Sequence, residues 1–349
     1  MLRRFGFMFL ALAATAAAQV AGNASLSGRY YFRQVLLVAD GSANVSDTRT
    51  GFGTLTFDGN GNYTVEGQQL VGAAAPAALA GSGTYTVKPG GYVTLANPLR
   101  PGSTVNARLG VGALVGSSTE ASATVFDLFL AIPAPSQAPT TVAGPYWISS
   151  LELPSGGVAN IRNTHFRLTA NGFGSFPETA VTGQARNLGN RLQNQAVSPM
   201  TYSVSPDGTG TLNFPVGAGL DTTTQLIAGS KAIYVSEDGT YLLGGSAAAG
   251  GHGVVVGVKA FAGGATNASW NGFFVSAGLR YDVPAGGSSG RLASVSGAVN
   301  ATAAGAVWAR RTRQTDGLFD ASPLITYSLT ADGSGTWTST PGRLSIAST

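Results

Sequence analysis

The sequence predicts an all-β protein built as three tandem small β-barrel (calycin-like) or sandwich units, the third incomplete, and three observations predict it. A hairpin pattern occurs three times, at Gly83–Leu95, Thr201–Leu212 and Thr326–Trp337. Each copy alternates apolar residues with Thr or Ser, breaks at a Gly-centred turn and resumes. Half-buried hairpins read this way because successive strand side chains point to opposite faces. The copies are evenly spaced, with 117 residues from Tyr85 to Tyr202 and 125 from Tyr202 to Tyr327. A second marker, Gly-x-aromatic, opens each unit at Gly28-Arg-Tyr30, Gly144-Pro-Tyr146-Trp147 and Gly272-Phe-Phe274. It stands 55, 56 and 53 residues before the hairpin tyrosine. Two markers at near-constant separation indicate tandem domains. Each unit has ordinary single-domain length, so it need not lean on its neighbours as a solenoid repeat must.

Taken in order, residues 1–18 read as a signal peptide. Arg3 and Arg4 precede an apolar run from Phe5 to Ala14, and Ala16-Ala17-Ala18 before Gln19 gives a small-x-small cleavage pattern. The run is too short for a membrane anchor, which needs about 20 apolar residues. Export to the periplasm, cell surface or medium is the expectation. There is no cysteine, so neither a disulfide framework nor a lipidated Cys is available. The formal charge of +4 falls to +2 without Arg3 and Arg4, too little to imply nucleic acid as a partner. Only 10% of residues are charged and 50 are Gly, a composition that suits exported bacterial β-sheet proteins. The Asn-x-Ser/Thr sequons at Asn23, Asn44, Asn62, Asn267 and Asn300 are ones such a chain produces by chance.

The first unit spans 24–133. After its opening strand, Gly53–Phe57 and Tyr63–Val65 flank the turn Asp58-Gly-Asn60-Gly-Asn62 as a second hairpin. The alanine-rich stretch Val71–Ala80 reads as a loop or one helical turn, and Val125–Ile132 as a well-buried closing strand. Residues 134–141 form a stiff Pro-rich linker. The second unit, 142–262, repeats the plan and ends in Ala232–Val235 and Gly253–Val258, with 263–267 as a joint. The third, 268–349, stops 75 residues after Phe274, short of its closing strands. The expectation is a fragment of a longer protein or an open edge, and open edges invite pairing.

Gly-x-aromatic on the first strand resembles the Gly-x-Trp opening of the calycins (lipocalins and avidins). That resemblance implies an up-and-down barrel with a ligand cavity and a last-strand cation packed over the aromatic. Lys259, after Val258, is positioned for this in the second unit, whereas Tyr30 and Phe274 replace the Trp in the others. The whole chain also resembles exported multi-repeat β proteins of environmental bacteria, which implies no particular activity.

Catalytic patterns are sparse. Asp58-Gly-Asn60-Gly-Asn62 has three calcium-loop ligand positions but Tyr63 where the loop needs Gly and Gln69 where it needs an acid. Its counterparts at Asn171, Asp207 and Asp332 share only turn formation. His165 and His252, the two histidines, have no ligand-spaced partner, so no metal and no cofactor is expected. No Gly-x-Ser-x-Gly elbow occurs, and Asp127, Glu152, Glu178 and Glu237 are the acids open to a carboxylate pair. The chain is read as not an enzyme. One basic cluster, Arg310, Arg311 and Arg313 beside Trp308, suggests contact with a polyanion.

Two functional readings follow. One is an exported surface or adhesion module meeting glycan, protein or matrix. The other is a calycin-like carrier holding a small apolar ligand, with Tyr30, Phe57, Tyr85 and Leu95 lining a cavity and Tyr146, Trp147, Tyr202, Phe274, Tyr327 and Lys259 in equivalent places. An outer-membrane barrel is a third expectation, set against three globular-sized units and an end that is not an aromatic strand.

Overall fold

Strict alternation leaves one side of each strand to be covered, and in the computed structural model of the chain the strands cover it by closing on themselves. The structure describes residues 12–13, 22–42, 44–119, 124–139, 141–282, 290–315, 317–340 and 344–345. The signal peptide expected over 1–18 lies outside them, apart from Leu12 and Ala13.

The first unit contains β1 (Ser27–Ala39), β2 (Val45–Asp58), β3 (Asn62–Val71), β4 (Ala77–Lys88), β5 (Tyr92–Ala96), β6 (Thr104–Gly110), β7 (Ala113–Ser117) and β8 (Val125–Pro133). Each pairs antiparallel with the next and β8 returns to β1, closing an eight-stranded up-and-down barrel. A ring leaves no edge unpaired. Tyr30, Phe32, Leu36, Leu55, Phe57, Val65, Tyr85, Leu95 and Phe129 fill its interior. The β2–β3 turn is held by Asp58, whose carboxylate accepts the backbone N–H groups of Asn60 at 2.7 Å and Asn62 at 2.9 Å. The alanine-rich stretch corrects the expected loop or helical turn. Only Gly72–Pro76 turn, and Ala77–Leu79 already face Gln69–Gly67 of β3, because ladder hydrogen bonds override alanine's weak preference.

The second unit comprises β9 (Ala143–Leu153), β10 (Arg162–Asn171), β11 (Ser175–Phe176), β12 (Thr179–Ala185), β13 (Gln193–Val197), β14 (Met200–Val204), β15 (Thr209–Phe214), β16 (Gly229–Val235), β17 (Tyr241–Gly245) and β18 (His252–Lys259). These make a ten-stranded sheet. Its two ends are halves of the same ring positions. Thr179 faces Val197 on β12–β13, and Phe176 faces Met200 on β11–β14, so one ladder runs past Pro177 and Pro199. Proline has no N–H to give a ladder, which is why both strands break there. Tyr146, Ile148, Phe166, Leu168, Tyr202, Leu212 and Phe214 form this unit's own core.

The third unit has β19 (Asn271–Asp282), β20 (Arg291–Thr302), β21 (Ala306–Gln314), β22 (Gly317–Ala321), β23 (Leu324–Leu329) and β24 (Gly335–Thr340). Both β22 and β23 pair with β21 on either side of Pro323, so they share one ring position. Among the described residues of this unit, the strands therefore occupy five of eight positions. Leu12–Ala13 pairs with Val275 and Phe274 on the edge of β19, and Leu344–Ser345 pairs with Ala321 and Asp320. Among the described residues, no helix is long and apolar enough to cross a membrane.

The units do lean on one another, although their length does not require it. β1 and β8 are buried on both faces. Their outward residues Tyr31, Val35, Leu37, Phe126, Leu128 and Leu130 meet Leu151, Tyr234, Leu243 and Val256 of the second unit and Ala277, Leu279 and Tyr281 of the third in one shared core. Tyr31 and Tyr234 stack at 4.3 Å with planes 6° apart, and Tyr31 donates its hydroxyl proton to the Asp207 carbonyl at 2.8 Å. The Pro-rich linker is likewise docked rather than free. Ala138 is buried and donates its N–H to the Pro206 carbonyl at 2.7 Å.

Candidate functional site

Four of the aromatic and basic residues singled out from the sequence meet in one place. Trp147, Lys259, Phe274 and Tyr327 line a cleft of about 460 Å³ between the outer face of the second barrel and the concave face of the third unit. Strand alternation sends Tyr146 and Ile148 into the barrel, leaving Trp147 and Ser149 outside. Ser149 faces His165 across β9–β10. The His165 ring stacks on Trp147 at 5.2 Å with planes 3° apart, and its Nδ1 lies 2.9 Å from Ser149 Oγ. Loss of water beneath that stack pushes the imidazole's pKa down, so it favours the neutral form. Trp147 donates its indole N–H to the Asp332 carbonyl at 3.2 Å, joining the two walls.

The other wall is the inside of the unfinished ring. Phe274 faces Val299 as Tyr30 faces Leu55 and Tyr146 faces Leu168. Tyr327 faces Trp337 as Tyr85 faces Leu95 and Tyr202 faces Leu212. These are core positions in the first two units. In the third, Phe274 and Val299 are likewise buried, whereas Tyr327 is half-buried at the cleft and Trp337 is 42% exposed. Trp270 packs edge-on against Tyr327 at 4.4 Å and Phe274 at 5.6 Å, and Trp308 reaches Trp337 at 5.4 Å. Three of the chain's four tryptophans thus line this cleft, and the fourth, buried Trp308, touches it through Trp337. Ser269, Ser334 and Thr336 place hydroxyl-bearing side chains along it. Asp332 adds a carboxylate whose pKa is lowered to about 2 by hydrogen bonds from Thr330 and Ser334.

The remaining aromatic residues singled out from the sequence are elsewhere. Tyr30, Phe57 and Tyr85 pack edge-on in the first barrel at 5.4 and 5.1 Å, with Leu95 buried beside them. Tyr146 and Tyr202 lie inside the second barrel, their hydroxyls bound to the carbonyls of Gly239 at 2.6 Å and Val142 at 2.5 Å. Lys259 stands opposite Tyr146 in register but is exposed rather than laid over a buried ring, unlike the calycin arrangement.

The basic cluster divides. Arg311 forms a two-pronged pair with Asp320 at 2.9 Å on each prong, and Arg310 lies over the Trp308 ring at 4.5 Å. Both border a polar cleft of about 600 Å³ shared with Tyr92 and Arg108 of the first unit. Arg313 corrects the expected polyanion contact. It is buried over the Phe126 ring at 3.7 Å and donates to the Val125 carbonyl, tying the third unit to the first. The acids have separate roles. Asp127 is buried in the first barrel with Gln34, Asn97 and Ser118 around it, and Glu152 pairs with Lys231 in the second. Sequence reasoning missed Lys231 and Arg162, since neither stands near a partner in the chain. The signal present was a charged residue at an inward position of an alternating strand. Among the described residues, no group of three His, Asp or Glu side chains is placed to hold a metal. Comparison with protein-family models and with curated proteins finds no match for this chain.

Proposed function

We propose that this is an exported, non-enzymatic binding protein of the cell surface or extracellular space, and that the aromatic cleft recognises glycan. The observation that carries the reading is the gathering of Trp147, Trp270, Trp337 and Tyr327 on one open surface, with serine and threonine hydroxyls and the Asp332 carboxylate around them. Flat rings offer apolar faces to the C–H side of a sugar, while hydroxyls and carboxylate meet its polar edge. Exposed apolar patches of this kind mark interaction sites. Carriage of an apolar ligand inside the first barrel has less support, since Tyr30, Phe57, Tyr85 and Leu95 fill that interior. The test is a titration of the purified chain with cell-surface polysaccharides, read by tryptophan emission and repeated with Trp147→Ala. Saturable binding weakened by the substitution supports the reading. Unchanged emission across the panel contradicts it.

A further inference from the structure

The second barrel carries a charged pair where the first carries two apolar residues. Across β4–β5–β6, Tyr85 faces Leu95 and Leu95 faces Val105. Across β14–β15–β16, Tyr202 faces Leu212 and Leu212 faces Lys231. Lys231 therefore stands at the position of Val105. Six residues beyond the opening tyrosines, Leu36 faces Arg49 and Glu152 faces Arg162. Glu152 therefore stands at the position of Leu36. Leu36 and Val105 are fully buried in the first core, whereas Glu152 and Lys231 form an ion pair with side chains only 6% and 5% exposed.

Such a pair gains little over well-packed apolar residues, because both ions must be taken out of water. The chain already holds the apolar solution to the same fold, so the fold does not require the charges. What differs is the space beside them. In the first unit the short 97–103 connection places Leu99 in the core. In the second, the longer 215–228 connection puts Leu226 and Ile227 in the core, and its preceding turn is held by Arg162, which donates to the carbonyls of Thr222 and Thr223, each at 3.0 Å, and of Gln225. A pocket of about 330 Å³ results, with Glu152, Lys231 and His252 in its wall and Ala232, Ala248 and Ala249 as apolar lining.

The charges around this pocket do not balance. Arg33 reaches over from β1 and is itself 1% exposed. It donates to the Ser246 carbonyl at 2.6 Å and the Gly253 carbonyl at 2.5 Å, and its Nη1 has no hydrogen-bond partner among the described residues. Gly245 leaves room for it, since a Cβ there would stand 2.5 Å from the guanidinium carbon. Arg33, Arg162 and Lys231 face one buried carboxylate, Glu152, while Asp221 acts on Arg162 from the exposed loop. The Arg33 guanidinium otherwise meets two neutral carbonyls and the face of the Phe52 ring at 5.1 Å, and that of Arg162 meets neutral carbonyls and an amide. A low-dielectric site with surplus positive charge favours an anion.

We propose that the mouth of the second barrel binds a small aliphatic carboxylate, its charged end at Lys231, with Arg33 held behind the pocket wall on the Ser246 carbonyl, and its short apolar body against the alanines. This site is separate from the aromatic cleft and stands or falls without it. The test is calorimetric titration of the full chain with propionate, butyrate and hexanoate, using the matching alcohols as controls. The expected result is saturable binding of a carboxylate that its alcohol does not share. The paired substitution Glu152→Leu with Lys231→Val, which installs the first unit's residues, is expected to keep the fold and weaken binding at least about tenfold. Lys231→Gln gives the same readout if the paired variant does not fold. Absence of binding to the folded protein, equal binding of the alcohols, or undiminished binding by a folded variant overturns the proposal.

Discussion

Tyr85 donates its hydroxyl proton to the Leu26 carbonyl at 2.6 Å, and Tyr327 repeats the bond to the Trp270 carbonyl at 2.8 Å. In both units a short Asn-Ala-Ser turn, Asn23–Ser25 and Asn267–Ser269, closes the end of the sheet. Its asparagine accepts a strand N–H, from Val87 at 2.8 Å and from Leu329 at 2.8 Å. The repeated tyrosine is thus a latch between the lead-in and the fourth strand. Tyr85→Phe is expected to cost about 1–2 kcal/mol by leaving a buried carbonyl short of a donor. Denaturant unfolding followed in the first unit measures it, and a change below about 0.3 kcal/mol argues against the latch.

The shared core predicts cooperative unfolding of the units it joins. Tyr31→Ala removes the stack on Tyr234 and the bond to Asp207, an expected loss of about 3 kcal/mol by analogy with other large aromatic truncations. Calorimetry is expected to show one transition for the parent chain and a split or broadened one for the variant. Two separate transitions in the parent would mean that the units fold independently.

The β2–β3 turn makes a prediction about acid. Hydrogen bonds from Asn62 and Asn60 hold the Asp58 carboxyl at about 2, below its ordinary 3.8. A pKa lowered by folding contributes stability that is present above the unfolded value and lost as pH falls through the folded one. The turn's contribution is therefore full above about pH 4 and disappears toward pH 2. Carbon-13 titration of the Asp58 carboxyl is expected to give a midpoint near 2. A midpoint at the ordinary value would show that the turn is not held by this side chain.

What the chain made legible follows from which physical signals are local. Alternation around Tyr85, Tyr202 and Tyr327 exposed the hairpins and their period, because strand faces are written every second residue. The apolar run Val125–Ile132 announced a well-buried closing strand, but not that its outer face meets the second and third units. Arg313 was misread because a charged run usually marks a solvated face. Here it lies on an outer strand face that the first barrel covers, and its guanidinium escapes cost by bonding a carbonyl. Trp147 and Tyr327 were visible as aromatic markers, yet their meeting depends on how two units dock. The Glu152–Lys231 pair joins residues 79 positions apart, and only the barrel register brings them together.

The cleft makes a separable prediction about its own wall. Trp337→Ala removes a ring that is 42% exposed, and its loss is expected to weaken glycan binding about tenfold. Circular dichroism is expected to remain that of the parent, since the ring is not enclosed by a finished core. A variant that binds as the parent does would remove Trp337 from the recognition surface.

The most direct test of the account is the tryptophan emission of the purified full chain during titration with surface polysaccharide. Three of the four tryptophans line the cleft and the fourth, buried Trp308, touches Trp337, so most of the signal reports that site. Glycan recognition by the cleft predicts a saturable shift in emission, together with reduced quenching by acrylamide, and loss of both in a Trp147→Ala, Trp337→Ala variant that remains folded. Emission that does not respond to any polysaccharide, or that responds equally in the folded double variant, would contradict it.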